Sequence, residues 1–157
     1  MGRESDGRYV VEVGVRWSDL DLFGHVNNAR TLTLLEEARV DWMFVDAVDR
    51  GTEGLSRGVV VAGIRIDYRR PITFPGPVRV SMGVTALGAA SFTVDYLVHQ
   101  GAELVVTGSS SLVPIDPLTS RPRRLDGSER AYLSRFLADD PAATGSARSE
   151  VPGRVTR

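Results

Sequence analysis

"WSDLDLFGHVNNARTLTLLEEARVDWMFVDAV", Trp17 to Val48, joins a polar loop to a segment without Gly or Pro. From about Asn28 to Val48 the segment is rich in Leu, Ala, Glu and Arg, so its propensity predicts one long helix. Leu35, Ala38, Trp42 and Val45 recur at helical spacing and predict the buried stripe, flanked by Leu34 and Leu32. Gly51 and Gly54 mark where that helix stops. Upstream, "YVVEVGVRW" (Tyr9–Trp17) alternates and is β-branched, which predicts a strand. The unit is therefore strand, polar loop, long helix.

Four strand-like segments follow, with no second long helix between them. In "VVVAGIRIDYRR" (59–70), Val60, Ala62, Ile64, Ile66 and Tyr68 share one face, and Arg65, Asp67 and Arg69 the other. Val78 to Ala86 alternates in the same way. Phe92 to Val98 and Ala102 to Val113 complete the set, joined by the hairpin-length links "LGAAS" and "HQGAE". A short helix is expected from Ser128 to Leu137, capped by Asp126 or Ser128. The class is α+β: a five-stranded antiparallel sheet against one long helix. One helix hides only one sheet face, and the other is expected to bear enough apolar side chains to want a partner. A homodimer or homotetramer follows. Residues 9–138 form the expected single domain, after a flexible start (1–8) and before a disordered tail (139–157) that is small, polar and Pro/Gly-punctuated.

The formal net charge of −1 lacks the basic excess that phosphate backbones demand, so no nucleic-acid partner is expected. There is no cysteine, which excludes disulfides, thiolate metal sites and a cysteine nucleophile. No apolar run spans a bilayer and the charged start is no signal peptide, so no membrane partner and a cytoplasmic location are expected. Walker loops, dinucleotide fingerprints and Gly-x-Ser-x-Gly elbows are absent. With two distant histidines, His25 and His99, no metal site and no cofactor are expected.

Asp21 is the first candidate for chemistry. A loop aspartate before a helix commonly satisfies nearby N–H groups. Its neighbours add a second reading. Gly24 permits close backbone approach, and His25 brings an imidazole, a group suited to proton transfer. Asn27 and Asn28 stand where the helix begins, with unpaired N–H groups facing the loop. A carboxylate opposite a helix N-terminus supplies both attack on a carbonyl and stabilisation of the oxyanion. Asp19 reads as structural. Glu36 offers a second carboxylate, or an i,i+3 pair with Arg39. Arg65, Arg69 and Arg70 could bind phosphate, or simply line an exposed strand face.

Residues 16–39, "RWSDLDLFGHVNNARTLTLLEEAR", resemble the signature of hot-dog-fold acyl-CoA thioesterases of the 4-hydroxybenzoyl-CoA thioesterase-like group. There D-x-D-x-x-G-H-V-N-N leads into the central helix and E-x-A-R follows; acyl-ACP thioesterases share the motif. The resemblance covers roughly residues 9–115 and implies a sheet wrapped round the helix, paired into a dimer. It also implies hydrolysis of an acyl thioester, with acyl-CoA or acyl-ACP as substrate. By that resemblance Asp21 is nucleophile or general base, and the Asn28 N–H polarises the thioester carbonyl. His25 matches the histidine used by the acyl-ACP branch. CoA phosphates would rest on surface Arg or Lys, at a site between subunits. Thr31 stands where the family commonly has Tyr, which alters a pocket wall, and Gly76-Pro77 replaces a common Gly-Asp pair. A hot-dog hydratase would show D-x-N-x-x-H, which this spacing does not match. A non-catalytic acyl-CoA binder or sensor on the same fold is the other alternative.

Overall fold

Alternation along the strands builds the sheet. In a computed structural model that describes residues 1–138, the strands are β1 (Arg3–Ser5), β2 (Arg8–Gly14), β3 (Val59–Tyr68), β4 (Pro77–Leu87), β5 (Phe92–Gln100) and β6 (Glu103–Pro114). They form one antiparallel sheet in the order β1-β2-β4-β5-β6-β3. Val78, Val80, Met82 and Val84 of β4 are buried towards the helix, as are Phe92, Val94, Tyr96 and Val98 of β5. The α+β hot-dog architecture is thus present, with six strands rather than five.

The extra strand corrects the expectation of a flexible start. Asp6 and Gly7 both adopt positive φ (51° and 68°), the geometry of a two-residue hairpin turn. That turn folds residues 3–5 onto residues 8–10. The first long strand stops at Gly14, and Trp17–Asp19 form a single 3-10 turn.

The central helix begins as expected and then departs from its spacing. α1 (Asn28–Val40) runs into a π-helical turn (Asp41–Asp46) and ends in α2 (Ala47–Asp49). Leu34, Leu35, Ala38 and Trp42 are buried, but Val45 is not; Asp46 and Ala47 take its place inside. The wider π turn rotates the stripe onward by a residue. Trp42 stacks on Tyr9 (centroids 5.8 Å apart) and meets Phe136 edge-on (5.1 Å), so strand, helix and chain end share one aromatic core. The Tyr132 hydroxyl donates to Asp46 Oδ2 (2.7 Å) and to the Trp42 carbonyl (3.2 Å).

After the short α3 (Gly54–Arg57), α4 (Gly127–Ser134) closes the domain. Asp126 is its N-cap, reciprocated by Glu129 in a capping box. The helix ends before the expected Leu137, and Phe136 and Ala138 instead bond to Val84 along β4. The tail expected to be disordered, 139–157, lies outside the described residues.

The expectation about the far sheet face needs correction. That face carries Thr85, Thr93, Asp95, Thr107 and Ser109 beside Arg65 and Asp67, and is polar. Exposed apolar side chains lie instead on the edge strand β3 (Val60, Val61, Ile64 and Tyr68) and on the loop that carries Trp17, Leu22 and Phe23. Among the described residues, no helix is long and apolar enough to cross a membrane.

Candidate active site

The loop between Trp17 and Asn28 is held as a closed ring. Asp21 N–H donates to the His25 carbonyl (2.8 Å), and Gly24 N–H to the Asp21 carbonyl (3.1 Å). Val26 N–H donates to the Ile72 carbonyl (2.8 Å), while Asn27 N–H reaches the Asp19 carbonyl (2.9 Å). Gly24 sits at φ +74°, and an added Cβ there would meet nothing within 4 Å. The glycine therefore serves the turn's handedness rather than a close backbone approach. The buried Asp19 accepts from Arg16 N–H (2.8 Å) and is structural.

One oxygen of the Asp21 carboxylate satisfies the loop, and the other is left open. Oδ1 accepts from the N–H groups of Phe23 (2.8 Å) and His25 (3.3 Å). Oδ2 accepts no hydrogen bond among the described residues. The half-buried carboxylate lines a cleft of about 280 Å³ with His25, Asn28, Thr31, Arg69 and Arg70. His25, tied down through its backbone, also lines the cleft.

Asn28 is the first residue of α1, and its N–H has no acceptor among the described residues. Asn27 is the N-cap: its side chain accepts from Ala29 N–H (2.9 Å). The cleft is therefore lined by a residue with a carboxylate oxygen left open and by the first residue of a helix, where the N–H is free and the helix dipole is positive. Thr31 is buried against it, its hydroxyl 3.4 Å from the Asn27 carbonyl. Arg69 and Arg70 reach it because both N–H groups turn onto one acceptor, the Val105 carbonyl (2.9 and 3.1 Å).

Four expected site residues stand elsewhere. Arg65 lies on the polar sheet face, 3.4 Å from Asp67, because strand alternation turns it away from the helix side. Glu36 is exposed two turns along α1 from Asn28, outside the cleft. Its other expected partner, Arg39, instead donates to the Tyr96 hydroxyl (3.0 Å). Gly24 and Asn27 border an adjoining depression with the exposed Trp17, Leu22 and Phe23. Sequence reasoning missed Val26, Tyr68, Pro71, Ile72 and Val106 as lining residues. The signal for Tyr68 was its place directly before the Arg69-Arg70 pair. Among the described residues, no cluster of three His, Asp or Glu could hold a metal ion.

Residues 15–143 match the thioesterase-like superfamily. The long-chain acyl-CoA thioesterase FadM of Escherichia coli (strain K12) is 28% identical over 128 residues, 80% of this chain and 97% of that protein. YsmA of Bacillus subtilis (strain 168) is 31% identical over 86 residues, but the match spans only 57% of its length and 55% of this chain. Among solved structures, a thioesterase from Thermus thermophilus, complexed with coenzyme A and Zn, superposes with a TM-score of 0.69 at 32% identity. That match covers 83% of this chain and 93% of the other. A predicted thioesterase from Bacillus stearothermophilus reaches a TM-score of 0.75 at 22% identity, covering 85% of this chain and 98% of the other, a likeness of fold.

Proposed function

This chain belongs to the thioesterase-like superfamily and is a thioester hydrolase; from that premise we propose that it cleaves acyl-CoA at the Asp21–Asn28 cleft. The observation that carries this reading is that one cleft is lined both by Asp21, whose Oδ2 accepts no hydrogen bond among the described residues, and by Asn28, whose N–H is unpaired among them. A thioester carbonyl oxygen accepting from Asn28 N–H gains stabilisation as it becomes an oxyanion. Asp21 Oδ2 carries the attack, directly on the carbonyl carbon or through a water that it deprotonates. On the direct route collapse breaks the C–S bond, expels the CoA thiolate and leaves a mixed anhydride on Asp21 that water hydrolyses to the free acid. On the water route collapse gives the acid at once, and the proton held by Asp21 passes to the thiolate. Arg69 and Arg70 at the rim offer guanidinium groups to the phosphates of CoA. Similarity to FadM and to the coenzyme A-complexed thioesterase supports this substrate class. With acyl-CoA as substrate, the proposed location is the cytoplasm.

We further infer a homodimer formed through β3, whose outer edge is unpaired and whose Val60, Val61, Ile64 and Tyr68 are 40–46% exposed. Such a pairing would bring the partner beside the cleft, since Tyr68 belongs to both.

The test is thiol release from a panel of acyl-CoA substrates, from short aliphatic to long-chain and aromatic. Asp21→Asn is expected to lower kcat about 100-fold or more, as loss of a nucleophile or base does. Turnover at the wild-type rate in that variant would remove Asp21 from the mechanism.

A further inference from the structure

Tyr68 ends β3, one residue before Arg69. Its ring walls the cleft, and its hydroxyl donates to the Asn28 carbonyl at 2.9 Å. That bond joins the last residue of an edge strand to the first residue of the central helix, 40 positions apart in sequence. Burial raises the phenol above its ordinary pKa, so the hydroxyl remains a donor throughout the neutral range.

The first turn of α1 needs such a tether. Asn27, Asn28, Ala29 and Arg30 are all exposed. The leading N–H groups of a helix have no intrahelical partners, and helix ends fray. The Asn27 cap bonds within the turn, to Ala29, and so sets its shape without fixing it against the sheet. Val26 N–H is pinned to Ile72 and Asn27 N–H to Asp19, but both contacts lie before the helix starts. The Tyr68 hydroxyl holds Asn28 itself.

We propose that Tyr68 is the positioning residue of this site. Its hydroxyl fixes the first turn of α1, and with it the Asn28 N–H, at a set place relative to Asp21 and to the Arg69-Arg70 pair. This rests on the reading of Asn28 as the oxyanion donor. The Asn28 carbonyl and N–H belong to different peptide groups, so the action is geometric rather than inductive. A displaced oxyanion donor weakens the transition state more than the bound substrate, and the effect belongs in kcat.

The experiment is Tyr68→Phe, which keeps the ring and removes the bond, studied beside Asp21→Asn. We expect kcat to fall about five- to ten-fold, the equivalent of one ordinary hydrogen bond, with KM unchanged. Amide hydrogen exchange should quicken at Ala29 and Thr31, whose N–H groups bond to Asn27 across the first turn, while β4 and β5 keep their protection. Unchanged exchange at Ala29 and Thr31 overturns the proposal whatever the rate does. So does an unchanged kcat, or a raised KM with kcat intact, which would make Tyr68 a binding residue. Wild-type turnover in Asp21→Asn would instead sink the reading of the site, and the exchange result would still decide whether Tyr68 holds the turn.

Discussion

Asn27 and Asn28 are adjacent and chemically identical, yet the helix start gives them opposite duties. Asn27 turns its side chain onto the Ala29 N–H, while Asn28 leaves its own N–H open to the cleft. Asn27→Ala should therefore cost about 1 kcal/mol of stability, the usual loss for a cap of this kind. Urea denaturation followed by circular dichroism measures it, and a variant as stable as wild type would show that the cap carries no net stability. The local part of the site was legible because Asp21, His25 and Asn28 lie within eight residues and one loop folds them together. Glu36 was not separable from them by sequence: two helical turns put a carboxylate on the same segment but outside the same cleft. Tyr68 was missed as a site residue because its contact with Asn28 spans 40 positions, which no local pattern encodes.

At the scale of elements, propensity and alternation located the strands and the central helix, and the failures have local causes. A 3.6-residue period carried past Trp42 points to Val45, but the π turn at Asp41–Asp46 delivers Asp46 and Ala47 to the core. The Asp6-Gly7 pair is a hairpin signal, and it makes a strand of residues 3–5. α4 shows a cap doing what its sequence announces. Asp126 accepts from the Glu129 N–H and the Ser128 hydroxyl, and these hold its carboxyl below the ordinary value of 3.8. The ionised form is thus the one the fold favours. Its contribution is present above the unfolded pKa and is lost as pH falls through the lowered folded value. Asparagine caps nearly as well but does not titrate in this range. Asp126→Asn should therefore keep its stability at neutral pH and show a shallower decline below about pH 4, the unfolded-state value from which the wild type begins to lose this contribution. Thermal melts across that range decide it, and parallel acid limbs for the two proteins would deny Asp126 this role.

For the whole molecule, exposed apolar surface lies on the Trp17–Phe23 loop and on β3, and β3 adds to it an open strand edge. The far sheet face is lined with hydroxyls and charges, with Asp95 of that face paired to Arg8 (2.8 Å), and offers little to a stacking partner. β3 differs from it on every count: ten residues long, unpaired along one edge, and apolar at Val60, Val61 and Ile64. A long, apolar, uncovered edge strand invites pairing with another chain. Antiparallel pairing of two copies about the middle of β3 would cover those side chains and extend the sheet across both subunits. It would also hold the Tyr68 end of the strand, to which the first turn of α1 is bonded, so assembly and site geometry would be coupled through one residue. Ile64 is 40% exposed at the centre of the strand, and a charge there opposes self-pairing without disturbing the core. In sedimentation velocity the wild type should run as a dimer or larger, and Ile64→Lys as a monomer with an unchanged circular dichroism spectrum. Thiol release should fall with the dimer fraction rather than with folding. A wild-type monomer would refute the β3 interface, and a fully active Ile64→Lys monomer would show that one copy completes the site alone.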